Sequence, residues 1–278
     1  MTRVVVLTGS ELRHDFMRMA IASGDEVDVV RSYCESTTGS ALEQAYESGS
    51  EIRIRHLERR ANVEDDFFGP FVRLAPDRSN PVEIPRGDIT DRQYYEEITE
   101  LDPDLLVAYG CSLIDDPLLS AFEGRFLNLH LGLSPYYRGT GTNFWPLVNG
   151  EPEYVGGTFM HIDEGVDTGD IIHQLRARIH EGDGPHQIGN RLIADAAAVY
   201  PDIIRQFDEV PDIDHPASVS DEEANYYRSS DYSEAATEQL YENFDAGLVE
   251  EYLLEESERT DAAPILRNPA ISTTPESR

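Results

Sequence analysis

Two short apolar runs, Val4 to Leu7 and Leu105 to Tyr109, constrain this chain most. Neither has a polar face. As strands they must be covered on both sides, which is the condition of a parallel sheet between helices. The first run ends in the turn Thr8-Gly9-Ser10. The spacing predicts a helix over 12–22, strands over Val27 to Val30 and Val82 to Ile84, and helical structure over 40–75, where Ala41, Leu42, Ala45 and Tyr46 recur at helical intervals. Asp91 can cap a helix running to Leu101, and Pro117 to Phe122 reads as a short helix. Phe126 to Leu131 is a further strand. Tyr154 to Ile162 and Asp170 to Ile179 read as two adjacent strands, and Gln187 to Phe207 as a helix. Strands alternating with helices argue for an α/β fold with a parallel sheet.

The character changes after Val210. PDIDHPASVSDEE reads as a linker, Ser233 then starts a helix with Ala236, Leu240, Phe244 and Leu248 on one face, and the residues from Thr260 read as loosely ordered. The expected division is a catalytic domain over 1–210 and an acidic linker with a partly helical C-terminal extension over 211–278.

The strand over Phe126 to Leu131 carries Asn128 and His130 two positions apart, so both project to one face. They stand near a carboxyl end of the sheet, where such folds place ligands. An amide can donate to a developing oxyanion, and an imidazole can move a proton near neutral pH. Taken alone, a polar pair in a strand is more often a satisfied structural hydrogen bond. The segment HIDEGVDTGD, residues 161–170, adds carboxylates on a Gly-containing loop between two strands. One of them facing the imidazole would orient it and favour its charged form. Acid or base, orienter and oxyanion donor together suit acyl transfer.

The span LNLHLGLSPYYRGTGTNFWPLVNGEPEYVGGTFMHIDEGVDTGDII, residues 127–172, resembles the catalytic core of the folate-dependent formyltransferases. That family includes methionyl-tRNA, glycinamide ribonucleotide and sugar-amine N-formyltransferases, together with formyltetrahydrofolate deformylases. The matching positions are Asn128, His130, Pro135, Tyr137, Arg138, Gly139, His161, Asp167 and Gly169. The resemblance implies a Rossmann-like, mostly parallel sheet flanked by helices, with 10-formyltetrahydrofolate as co-substrate. It implies that His130 is the acid-base residue, that Asn128 stabilises the tetrahedral intermediate, and that Asp167 raises the basicity of His130. It assigns folate contacts to Ser112, Leu113, Ile114 and Asp115 after the Leu105 to Tyr109 strand, to Gly132, Leu133, Ser134 and Pro135, to Val166, and to Arg92. A homodimer is compatible with it. The chain departs from the family in having Gly-Leu-Ser-Pro after His130 and Gly9-Ser10-Glu11 after the first strand. Glu11 would repel the phosphate that the glycinamide ribonucleotide enzymes bind there.

Charge narrows the partners. The formal net charge is -32, and all 22 basic residues are Arg. So much like charge opposes compaction unless salt screens it, so the expected setting is a salt-rich, halophilic cytoplasm. General nucleic-acid binding needs basic surface and is not expected. No apolar run approaches the ~20 residues of a membrane span, and MTRVVVLTGS reads as a first strand rather than a leader. The two cysteines make no disulfide framework. His130, His161, Asp167 and His173 lack compact metal-ligand spacing, and no G-x-G-x-x-G follows the first strand, so neither a metal nor a nicotinamide is expected. The arginines at 53, 55, 59 and 60 admit two readings, an anion site or surface ion pairs with Glu51, Glu58 and nearby acids. The acidic, short tail disfavours tRNA. The expected reaction is formyl transfer to a primary amine, an amino sugar on a nucleotide carrier. The alternatives are a methionyl-tRNA or glycinamide ribonucleotide acceptor, a deformylase, and a folate-binding protein without catalysis.

Overall fold

The computed structural model describes residues 1–36, 41–163, 165, 167–211, 213–217, 219 and 224–271. Seven strands form the central sheet in the order β3 (Pro81–Ile84), β2 (Val27–Glu35), β1 (Thr2–Gly9), β4 (Leu105–Tyr109), β5 (Phe126–His130), β7 (Gly156–His161) and β8 (Ile171–Arg176). The first five pair in parallel. β7 runs antiparallel to β5, and β8 antiparallel to β7. The two later strands are thus adjacent, as their sequence suggested.

Alternation along β1 sorts its side chains between two apolar layers. Val4 and Val6 face Met17 and Ile21 of α1 (Leu12–Ile21) and Leu192, Ala196 and Ile203 of α7 (Pro185–Gln206). Val5 and Leu7 face Ile98 of α4 (Arg92–Leu101) and Leu118 of α5 (Leu118–Ala121). All four β1 residues are fully buried, which explains why the run carries no polar position.

The helical stretch expected over 40–75 is broken into α2 (Ala41–Ser48) and α3 (Glu51–Leu74), because Gly49 adopts φ 71° between them. β2 is longer than its apolar stretch suggested, and its last residue, Glu35, is buried beside the sheet's carboxyl edge.

The C-terminal part is more ordered than its composition implied. α8 (Glu234–Asp245) and α9 (Leu248–Ala262) place Leu240, Leu248, Val249 and Tyr252 in the same apolar layer as α1 and α7. Residues 263–271 are not loose. The Leu266 N–H donates to the Gln174 side chain and its carbonyl accepts from the Gln174 N–H, each at 2.8 Å, and Ile271 is buried. β9 (Asn225–Tyr227), just past the segment read as linker, pairs with β6 (Tyr137–Gly139) in a small second sheet; residues 212, 218 and 220–223 of that segment lie outside the described residues. No local pattern marked these contacts, because their partners lie about ninety residues away. Among the described residues, no helix is long and apolar enough to cross a membrane.

Candidate active site

A cleft of about 1060 Å³ opens at the carboxyl ends of β1, β2, β4 and β5, lined there by Gly9, Glu35, Tyr109 and His130. This is the position at which open α/β sheets bind ligands. Asn128 and His130 both line it from β5, as their shared strand face requires. His130 is buried. Its Nδ1 lies 3.1 Å from Oδ1 of Asp167, and its Nε2 lies 3.3 Å from the Tyr137 carbonyl. Both facing atoms are acceptors, so either ring nitrogen can donate when it carries a proton.

Asp167 sits at φ 55°, a left-handed conformation that Asp tolerates better than most side chains and that turns its carboxylate toward β5. Its Oδ2 accepts from the Gly139 N–H at 3.1 Å. Burial favours the neutral acid. The hydrogen bond and charge of His130, the Gly139 N–H and the charge of Arg138 outweigh that, and hold the carboxyl below its usual range. Asp167 is therefore an ionised orienter of the imidazole.

Ser112, Leu113, Ile114 and Asp115 all line the cleft on the loop after β4. Leu113 is 70% exposed there, an apolar side chain in position to meet a ligand. This loop hangs from Glu35, which sequence reasoning missed. The buried carboxylate accepts the Ser112 N–H at 2.7 Å, the Gly87 N–H at 3.0 Å and the Ser112 hydroxyl. Its strand also carries Asp28, Arg31 and Ser32, so a further polar residue at its end gave no local signal.

Other expected folate contacts fall elsewhere. Arg92 points outward on α4 with its side chain 89% exposed, paired to Glu96 one helical turn on, and does not reach the cleft. Arg86 lines the cleft instead. None of Gly132, Leu133, Ser134 and Pro135 lines it. They pass behind the site. Leu133 is fully buried, the Ser134 N–H donates to the Thr158 hydroxyl at 3.1 Å, and that hydroxyl donates to the Gly132 carbonyl at 2.6 Å. A Cβ at Gly132 would come within 2.4 Å of His130 Nε2, so this glycine makes room for the His130 ring. Val166 lies outside the described residues. His161 lines the cleft, whereas His173 is buried and accepts the Asn268 N–H at 3.1 Å, so the four groups considered for a metal do not converge.

A second wall carries charge and rings. Glu11 does not stand alone after β1: it pairs with Arg13 and, at 3.5 Å, with Arg60, and both arginines also pair with Glu64. Its negative charge is matched locally, so the repulsion expected of it is blunted. Arg60 follows the ion-pair reading. Arg53 also lines the cleft, with its guanidinium 5.2 Å from the Tyr232 ring centre. His56 and His186 lie 4.6 Å apart between ring centres in the same wall. Burial, reinforced for His56 by His186 and Arg60 and for His186 by Arg60, lowers them to about 3 and about 4, so both are neutral near pH 7. Tyr226, Tyr227, Arg228, Ser229 and Tyr232 complete this wall from the C-terminal segment. Nothing local in the sequence marked them.

Residues 2–204 match the family model described as formyl transferase. A methionyl-tRNA formyltransferase of Caldanaerobacter subterraneus subsp. tengcongensis is 32% identical over 161 residues, which cover 57% of this chain and 51% of that protein. A GDP-perosamine N-formyltransferase of Brucella melitensis is 30% identical over 151 residues, covering 54% and 56%. The chain thus spans about half the length of the curated relatives it matches. Its fold is shared with glycinamide ribonucleotide transformylase 1 of Symbiobacterium toebii, at a TM-score of 0.52 and 22% identity, over 75% of this chain and 88% of that one.

Proposed function

Because the chain belongs to the formyl transferase family, we propose that it moves a formyl group from 10-formyltetrahydrofolate to the primary amine of an amino sugar on a nucleotide carrier. The observation that carries the reaction class is the convergence of Asn128, His130 and Asp167 at one cleft, with the imidazole 3.1 Å from an ionised carboxylate.

The acceptor amine attacks the formyl carbon, and a C–N bond forms. Charge develops on the formyl oxygen, where the Asn128 amide and the protonated His130 ring stabilise it. The bond from carbon to the folate nitrogen then breaks. The amine proton passes by way of His130 to that leaving nitrogen, and Asp167 holds the ring in place throughout. The loop over Ser112 to Asp115 is the folate wall, and the wall of Arg53, Arg60, His56 and Tyr226 to Arg228 receives the acceptor.

Two points support a sugar acceptor. The net charge of -32 disfavours tRNA. The second wall offers both rings and guanidinium groups, which suit a base and its phosphates. The same charge leads us to infer a salt-rich cytoplasm as the working medium. The test is incubation in high salt with 10-formyltetrahydrofolate and, separately, amino-deoxy nucleotide sugars, glycinamide ribonucleotide and methionyl-tRNA. A gain of one CO on a sugar amine, read by mass spectrometry, is the expected result. Formylation of either of the other two without a sugar product would overturn the choice of acceptor.

A further inference from the structure

The C-terminal segment reaches back to the catalytic pair. β9 lies parallel to β6, with Asn225, Tyr226 and Tyr227 opposite Tyr137, Arg138 and Gly139. Two flanking bonds extend the ladder, from the Asn225 N–H to the Tyr136 carbonyl and from the Thr140 N–H to the Tyr227 carbonyl, each 2.8 Å. Among the described residues, β9 is the only strand paired with β6. Side chains lock the contact. The Tyr227 ring lies parallel to the Trp145 indole, 4.1 Å between centres and 5° apart, and the Asn149 amide donates to the hydroxyls of Tyr137 and Tyr227 at 2.8 and 3.0 Å. Gly139, at φ 89°, lies so close that a Cβ there would stand 2.2 Å from the Tyr227 carbonyl oxygen.

β6 in turn touches the catalytic pair through two backbone groups, and Arg138 adds its charge beside Asp167. The Tyr137 carbonyl faces His130 Nε2 at 3.3 Å, and the Gly139 N–H donates to Asp167 Oδ2 at 3.1 Å. A three-residue strand does not hold its own course, since even an isolated two-stranded hairpin is marginal in water. The buried Tyr137 ring and the Tyr137 N–H, which donates to the Leu133 carbonyl at 2.9 Å, anchor one end of β6, and β9 supplies its strand pairing. β9 itself is followed by α8, whose Leu240 is buried in the main core and whose Asn243 amide donates to the carbonyls of Leu147 and Val148 at 2.9 and 2.8 Å.

We propose that Asn225–Tyr227 is a positioning clamp for catalysis: by fixing β6 it fixes the two backbone groups that hold His130 and Asp167 in register. Tyr227 is its principal positioning residue. The C-terminal segment then governs turnover as well as lining the acceptor wall. The kinetic part of this inference rests on the formyl-transfer reading, and its structural part does not.

The test is the series Tyr227→Phe, Tyr227→Leu and Tyr227→Ala in the full chain. It reads kcat, the KM of each substrate, and the ¹⁵N resonances of the His130 imidazole in substrate-free protein. A displacement of about 1 Å at a catalytic group costs on the order of 10²-fold. Tyr227→Ala should therefore lower kcat about tenfold or more, with the folate KM within about threefold of wild type. Its His130 resonances should move in the same sense as those of Asp167→Asn, and Tyr227→Phe, which keeps the ring stack, should recover most of the loss. An unchanged His130 spectrum in folded Tyr227→Ala overturns the clamp whatever the kinetics. A loss confined to the acceptor KM also overturns it, since that describes a wall only. Should the Ala and Leu variants fail to fold, Asn225→Pro, which removes one backbone donor and no ring, decides on the same resonances. If wild type transfers no formyl group, the proposed reaction falls while the imidazole spectrum still judges the clamp.

Discussion

The loop Gly110 to Asp115 and the wall of Arg53, Arg60, His56 and Tyr226 to Arg228 line the same cleft, yet they are held by different means. The loop continues directly from β4 and is tied by backbone and side-chain groups to one buried carboxylate, Glu35. The opposite wall is assembled from α3, α7 and the C-terminal segment, and its charges answer one another: Arg13 and Arg60 against Glu11 and Glu64. A ligand held largely through backbone groups demands little of the side chains around it. A wall built of distant side chains can be rebuilt for another acceptor without disturbing β4 or β5. Donor recognition and acceptor choice should therefore be separable by mutation.

Groups serving both walls should give the largest effect. Asn128→Ala, His130→Ala and Asp167→Ala should each lower kcat by roughly 10² or more, as loss of an oxyanion donor or acid-base group typically does. Folate binding, followed by fluorescence quenching, should persist. Near-normal turnover at saturation for any one of them would remove it from the mechanism.

Glu35→Ala comes next. It strips the acceptor from the Ser112 and Gly87 N–H groups, each costing about 1–3 kcal/mol if left buried and unpaired. The folate KM should rise about tenfold or more while the acceptor KM stays near wild type. Equal rises in both would show that the walls are not independent. The mirror experiment is Arg60→Ala. It should raise the acceptor KM several-fold, with an effect that shrinks in molar salt, because partly exposed pairs are screened.

The smallest effect is on stability, and it belongs to the charged wall. His56 and His186 have folded-state values of about 3 and about 4, below the ordinary 6.5. The unfolded chain therefore takes up protons first as pH falls, and stability should decline from about pH 6.5 down to about pH 3. Melting curves across that range should show less decline for the double variant His56→Gln with His186→Gln. An identical slope would exonerate the pair. A separate series from molar to millimolar KCl should lower the melting midpoint if self-repulsion at -32 is what salt relieves.

What was legible in the sequence was local. Asn128 and His130 share a face because strands alternate, and Asp167 lies in a loop between consecutive strands, so its approach to His130 needed only a hairpin-like return across β7. The same locality misled at Arg92, which finds Glu96 four residues on and faces outward. It misled again at Gly132 to Pro135, where the chain turns behind His130 instead of along the cleft. Glu35 meets Ser112 across 77 positions, and β9 meets β6 across nearly ninety. No periodicity or spacing encodes such pairings, since they depend on the order of strands and on the course of a tail that looks like a linker.

The central claim is that this centre passes a formyl group to an amine instead of releasing it to water. Supplying 10-formyltetrahydrofolate labelled with ¹³C in the formyl group, with an amino-deoxy nucleotide sugar in high salt, tests it most directly. The expected result is label on the sugar nitrogen, at a rate that depends on the amine and collapses in His130→Ala. Label released as formate at the same rate with and without the amine would contradict it.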